Sequence, residues 1–232
     1  MKKKITMFIL LVLTISSFFM GISREEKLVI KNPTKIEDKV VAKVDNNKNT
    51  DRVYEKDIVA YISIPNTEFD VAVVQTTNNY YYLNHDINGK KLNKGTPFLD
   101  YRDSLDRGRI LRIYGHNSAT INTEFNYLEN YYDKEFFLNN KYIIVESEDE
   151  VRKYEIFSLY TEYQDWSYYN INFNDDVAYR NELIKYKNKS DYDTGVKVNE
   201  KDEILILQTC SYKKEYKKYK NKYYLVMAKR IE

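Results

Sequence analysis

Cysteine, histidine, proline and glycine are all scarce in this chain of 232 residues, which has one Cys, two His, three Pro and six Gly. A single cysteine excludes an internal disulfide, and one Cys with two isolated His matches no metal-ligand spacing. We therefore expect neither a metal nor a cofactor. The net charge of +2 provides no strong basic field, so we expect no nucleic-acid partner. Few Pro and Gly beside 24 Tyr are typical of a folded domain.

The N-terminus resembles an export signal. Lys2, Lys3 and Lys4 precede an uncharged stretch over residues 5–23. A helix of about 19 residues rises about 28 Å, close to the thickness of a hydrocarbon core. Lysines before such a helix favour an inside N-terminus, so the rest of the chain is expected outside the cell membrane. We predict a transmembrane anchor over residues 1–23; a cleaved signal peptide is the alternative, and both export the domain.

The exported part divides into a charged stalk or short helix over residues 24–52 and a compact domain over residues 53–232. Short β-rich runs dominate this domain, and about eight of them predict a closed or nearly closed barrel. The candidate strands are 58–64, 69–74, 96–101, 110–114, 142–146, 152–160, 204–208 and 223–229. Candidate helices are 123–128, 133–139 and 175–187. The predicted fold class is mostly β with helical additions.

Cys210 follows the apolar strand 204–208, at the point where the chain enters a polar loop. A thiol at a strand end is held by the sheet and still accessible, but it needs a cation or an acid/base partner to react. His116 follows the apolar strand 110–114 through Gly115, in the same kind of setting. Each residue alone could equally be structural: a buried thiol and a loop histidine bonded to backbone. His85 receives no chemical role.

Several segments together resemble the class B sortases, which are cell-wall sorting enzymes. The segment 207–210, Leu-Gln-Thr-Cys, is similar to the sortase signature at the end of a barrel strand. Further similar segments occur in family order over most of residues 53–232: Val73-Val74-Gln75, Asn79, Tyr82-Leu83, Phe98 to Arg102, Tyr114 to Asn117, Phe125-Asn126, Leu128, Phe136-Phe137, Ile156 to Ser158 and Asn172-Phe173. The ordered set is far more specific than Thr-Cys alone.

The resemblance implies a sortase-type eight-stranded β-barrel and a cysteine transpeptidase. Cys210 would attack the Thr carbonyl of a sorting signal, which is cut after this Thr, and form a thioester. His116 would protonate the leaving amine and later accept a proton from the incoming one. The implied partners are secreted proteins with a C-terminal sorting signal similar to Asn-Pro-x-Thr, and an amine of a cell-wall peptide precursor.

This chain differs from the family at the third residue of the active site. The family has an Arg on the strand after the Cys, where it stabilises the oxyanion or orients the substrate. Alignment of the end of strand 223–229 puts Tyr223 at the Arg position and Lys222 one place earlier. Lys222 is the candidate replacement, although a one-residue shift reverses the face of a strand and Lys lacks a bidentate guanidinium. The alternatives are another donor or weak activity.

The resemblance also suggests a set of substrate-binding residues along the groove: Asn79, Tyr168, Tyr169, Gln208 and Thr209. Two other functions stay open from the sequence. A cysteine peptidase that only hydrolyses wall peptides needs the same Cys and His. A sortase-like module that binds peptides without turnover is favoured only by the missing Arg.

Overall fold

The structure is a computed structural model that describes residues 51–170 and 172–232, and its core is a closed barrel of eight strands. The order around the barrel is β1-β2-β3-β4-β7-β8-β6-β5, and β1 closes on β5. The strands are β1 (Ile58–Ser63), β2 (Asp70–Val74), β3 (Phe98–Leu99), β4 (Ile110–Tyr114), β5 (Tyr142–Ser147), β6 (Val151–Glu162), β7 (Ile204–Cys210) and β8 (Tyr223–Arg230). The predicted fold class, an eight-stranded barrel with helical additions, is confirmed.

Within the described residues, two α-helices lie in the connections, α1 (Lys134–Asn139) and α2 (Asp176–Asn188). An aspartate caps each helix N-terminus: Asp133 accepts from the N–H of Glu135, and Asp175 accepts from that of Ala178. Short 3₁₀ segments occupy Tyr81–Leu83, Glu124–Tyr132, Ser167–Tyr169 and Lys214–Tyr216.

Two predicted elements differ from what the structure contains. The segment Glu124–Tyr132 is a 3₁₀ helix, and its buried residues Phe125, Leu128 and Tyr131 recur every third position, the period of that helix. The predicted strand 96–101 shortens to Phe98–Leu99. The other seven strands and two helices agree with the prediction to within a few residues.

The burial of β7 explains its unbroken apolar sequence. Leu205 and Leu207 pack in the barrel interior. Ile204 and Ile206 point to the opposite face and pack against a second cluster that includes Tyr179, Leu183 and Tyr186 of α2. A strand covered on both faces needs apolar residues at every position, so alternation is absent. This double burial makes β7 a rigid support for the residue at its end.

Strands β4 and β7 run parallel, and each β4 residue pairs with the β7 residue 94 positions later, from Ile110–Ile204 to Tyr114–Gln208. The register continues past β4, because the Thr209 hydroxyl donates to the Gly115 carbonyl at 2.7 Å. Parallel strands end at the same edge of a sheet, so the residues that follow them meet there. His116 and Cys210 are separated by the same 94 positions.

The predicted transmembrane anchor, residues 1–23, and most of the stalk lie outside the described residues. Within residues 51–170 and 172–232 no helix has the length and apolar character needed to span a membrane. Arg52, at the predicted end of the stalk, donates to Glu146 at 2.8 Å and to Asp70 at 3.0 Å. Arg52 is therefore in contact with the barrel.

Candidate active site

A cleft of about 420 Å³ lies at the edge where β4, β7 and β8 place the predicted catalytic residues. It is lined by Asn79, Tyr80, Leu83, Phe98, Tyr114, Gly115, His116, Tyr169, Gln208, Thr209, Cys210 and Tyr223. Cys210 and His116 thus share one cleft, as their common register predicts. The walls are largely aromatic, while the few polar groups come from the strand ends.

His116 is half-buried and its ring is held by the opposite wall. Its Nε2 lies 2.8 Å from the carbonyl oxygen of Leu83. A ring nitrogen at this distance from a carbonyl is the protonated one, which leaves Nδ1 to accept or carry a second proton. The His116 carbonyl in turn accepts from the Thr123 hydroxyl at 2.6 Å. Both ring and backbone are therefore fixed before any substrate arrives.

The Cys210 side chain is accessible from solvent at the end of β7. The surrounding cleft walls nevertheless desolvate the thiol, and this burial raises its pKa. The positive charge of Lys222 acts in the opposite direction and is the smaller effect. The thiol is therefore mostly protonated at neutral pH, and a base is needed to form the thiolate nucleophile.

Asn117 links the loop that carries His116 to the backbone of Cys210. Its Nδ2 donates to the Cys210 carbonyl at 2.9 Å and to Oε1 of Glu129 at 2.7 Å. Its Oδ1 accepts from Asn126. The side chain is buried, so these contacts form a fully satisfied polar network. The residue next to His116 thereby ties its loop to the end of β7.

Comparison with known protein families shows to which family the chain belongs. The sortase domain family matches residues 62–231. The chain belongs to the sortase family. It is 36% identical to sortase B of Listeria monocytogenes over 166 residues, 70% of this chain and 66% of that protein. It is 34% identical to sortase B of Staphylococcus aureus over 158 residues, 67% of this chain and 64% of that protein.

A solved structure titled as a substrate complex of Staphylococcus aureus sortase B is also similar to this sortase. The TM-score is 0.69 at 31% identity, and the match covers 77% of this chain and 81% of that one. The resemblance to class B sortases predicted from the sequence is confirmed. The chain spans about two thirds of the length of the two curated relatives it matches.

Lys222 of this sortase is not among the residues that line the cleft. Its Nζ donates to the Tyr219 carbonyl at 3.1 Å, and its own carbonyl accepts from the N–H of Ser211. Tyr223, not Lys222, pairs with Cys210 in the β7–β8 register. The charge of Lys222 can therefore act on the Cys210 thiol through space, but its amine does not point into the cleft.

The predicted substrate-binding residues are only partly brought together. Asn79, Tyr169, Gln208 and Thr209 line the cleft. Tyr168 does not: it is 1% exposed and belongs to the core cluster beneath, with its ring 4.3 Å from that of Tyr169. The successive tyrosines point to different sides of the short 3₁₀ turn, so only Tyr169 can contact a ligand in the cleft.

The polar atoms of these lining residues differ in availability. Oδ1 of Asn79 accepts from the N–H of Tyr101 at 3.0 Å, so its oxygen is used within the protein. The Thr209 hydroxyl is likewise occupied by Gly115. Oε1 of Gln208, by contrast, is buried and has no hydrogen-bond partner among the described residues. A buried amide oxygen without a partner is the kind of group that a bound peptide N–H would satisfy.

Beneath the cleft floor, sequence reasoning missed a charged network that begins at Asp100. This fully buried carboxylate accepts from the Arg102 side chain at 2.6 Å and from the Tyr114 hydroxyl at 2.7 Å. Burial opposes its ionisation, but these hydrogen bonds outweigh burial and lower the pKa of Asp100 to about 2. Tyr114 also lines the cleft, so the ionised carboxylate fixes one of its walls.

Arg112 extends this network toward the opposite wall. It is 1% exposed and pairs with Asp103 at 2.5 Å. The same guanidinium donates to the Tyr168 carbonyl at 2.8 Å and to the Asn170 carbonyl. The backbone on both sides of Tyr169 is therefore held by one buried arginine. A charged residue in the middle of an apolar strand was the available sequence signal, because a buried charge needs partners.

Proposed function

We propose that this sortase is a membrane-anchored cysteine transpeptidase that cleaves sorting signals similar to Asn-Pro-x-Thr after the Thr. The observation that carries the proposal is the meeting of Cys210 and His116 in one aromatic cleft, through a register shared by β4 and β7. The similar Staphylococcus aureus protein, described as a sortase B–substrate complex, supports a peptide as the occupant. Residues 1–23 would hold the domain on the outer side of the cell membrane.

The first half of the reaction is acylation. His116 accepts the thiol proton of Cys210, and the thiolate attacks the carbonyl carbon of the Thr residue. The carbonyl oxygen becomes an oxyanion in the tetrahedral intermediate. His116 then donates the proton to the amide nitrogen, the C–N bond breaks, and the C-terminal part of the signal leaves as an amine. The Thr carbonyl remains attached to Cys210 as a thioester.

The second half transfers the acyl group. An amine of a cell-wall peptide precursor attacks the thioester carbon and loses a proton to His116. The C–S bond breaks, an amide forms, and the Cys210 thiol is restored by that proton. Because the same imidazole first accepts and then donates a proton in each half, its removal is expected to slow both halves by about 10²–10⁴-fold.

The test is cleavage of a set of Asn-Pro-x-Thr-x peptides by the wild type, Cys210→Ala and His116→Ala, with and without a short glycine peptide as acceptor. We expect a thioester adduct on Cys210 by mass spectrometry and a shift of product from free acid to amide when the glycine peptide is present. Free acid alone under both conditions would indicate a hydrolytic cysteine peptidase. A folded protein with no adduct and no turnover would indicate a peptide-binding module.

A further inference from the structure

Apart from His116, which carries out the proton transfers, no described residue that lines the cleft of this sortase has a cationic side chain: there is neither an arginine nor a lysine. The two arginines of the network beneath it are engaged, Arg102 with Asp100 and Arg112 with Asp103. Arg230 lies at the far end of β8, where it pairs with Glu150. An oxyanion formed at Cys210 therefore needs a neutral donor.

Tyr223 occupies the position from which such a donor can act. It is the first residue of β8 and lies directly opposite Cys210 in the antiparallel register. Residues that face each other in this way point to the same side of the sheet, with Cβ atoms about 5 Å apart. Both side chains line the same cleft. Lys222 lies just before β8 and outside the cleft lining, and its Nζ donates to the Tyr219 carbonyl.

The ring of Tyr223 is also held in place. The indole of Trp166 packs edge-on against it at 5.7 Å between ring centroids. Burial is the main cause that raises the pKa of Tyr223, and the nearby Tyr169 and Cys210 raise it further. The phenol therefore keeps its proton under conditions where the Cys210 thiolate reacts. A fixed, neutral O–H that faces the nucleophile is suited to stabilise developing negative charge.

We propose that the Tyr223 hydroxyl donates the hydrogen bond to the oxyanion of the tetrahedral intermediate and so replaces the family's arginine. The inference rests on the proposed transpeptidase function. During acylation the carbonyl π electrons move to oxygen as the S–C bond forms, and they return when the C–N bond breaks. Tyr223 keeps its proton throughout, and His116 carries out every proton transfer.

The experiment compares Tyr223→Phe, Tyr223→Arg and Lys222→Met with the full-length wild type, using the most readily cleaved peptide of the Asn-Pro-x-Thr-x set. Tyr163→Phe is the matched control. This substitution also removes a tyrosine hydroxyl, but the Tyr163 ring lies outside the cleft and packs on Tyr219. We measure kcat, KM, the single-turnover acylation rate and the melting temperature of each protein.

Tyr223→Phe should lower kcat and the acylation rate by about 10²–10³-fold, the effect of removing one oxyanion donor, with KM and melting temperature near those of Tyr163→Phe. Tyr223→Arg should recover part of that loss, which a purely structural role of the ring would not predict. An unchanged kcat in Tyr223→Phe, a change confined to KM, or a larger loss in Lys222→Met would overturn the assignment. If the wild type itself gives neither adduct nor product, the proposed function and this inference both fail.

Discussion

Replacement of Arg112 by Met should destabilise the protein far more than replacement of a surface arginine. The guanidinium of Arg112 is 1% exposed, and it is the ion-pair partner of Asp103, whose side chain is 5% exposed. Met fills a similar volume but removes the guanidinium that pairs with the buried Asp103 carboxylate and donates to the carbonyls of Tyr168 and Asn170. Removal of one partner of a buried pair costs about 3–5 kcal/mol.

This cost is large relative to the total stability of a domain, which is about 5–15 kcal/mol. For a domain of this size, 1 kcal/mol corresponds to about 2–4 °C, so the melting temperature should fall by about 6–20 °C. Thermal and urea unfolding followed by circular dichroism measure the change. The double variant Arg112→Met/Asp103→Asn should recover part of the loss, because it no longer buries an unpaired charge.

Arg109→Met is the matched control. Arg109 also donates to an aspartate, Asp176 at 2.7 Å, but the two side chains are 51% and 62% exposed. Solvent screens such a pair, so its loss should cost less than about 1 kcal/mol. If Arg112→Met unfolds at the same urea concentration as Arg109→Met, the argument that Arg112 holds the cleft wall from below is refuted.

Three further outcomes follow from the site. Gly115→Ala should lower the free energy of unfolding by about 1–3 kcal/mol and slow turnover, because the added Cβ would lie 2.5 Å from Cγ of Phe125. Urea unfolding and peptide-cleavage assays measure the two effects, and wild-type values in both would contradict the prediction. Alkylation of Cys210 by iodoacetamide should rise with pH through a midpoint above the ordinary thiol pKa, since burial raises that pKa. Lys222→Met should move the midpoint higher still, and a downward shift would refute the electrostatic role of Lys222. Asp100 has a folded-state pKa of about 2, below its unfolded value, so it should contribute about 2 kcal/mol that is present above pH 4 and lost as pH falls toward 2. Asp100→Asn should remove this pH dependence of urea unfolding between pH 4 and 2, and an identical slope in both proteins would contradict the assignment.

The barrel could be predicted because its signals are local. Short β-rich runs separated by turn residues mark the strands, and an aspartate before each α-helix marks where it begins. Asn66 illustrates the same point: it follows β1 at a φ of 63°, a turn conformation that Asn tolerates. The setting of Cys210 and His116 at strand ends could likewise be read from residues a few positions away.

Pairwise geometry between distant segments could not be read in this way. Sequence placed Tyr168 and Tyr169 side by side as binding residues, but only packing against α2 and β8 decides that Tyr168 enters the core. The bonds of Arg112 to carbonyls more than 50 residues away are equally invisible to local patterns.

The chain alone therefore predicted the strands and the setting of Cys210 and His116 at strand ends, because local periodicity and residue chemistry act over a few positions. The resemblance to the family, and not periodicity, predicted that the two residues act together and that an arginine is missing. Tertiary structure decided which residue faces Cys210 across the sheet. A one-residue change of register exchanges the two faces of a strand, and the β7–β8 pairing puts Tyr223 rather than Lys222 opposite the thiol.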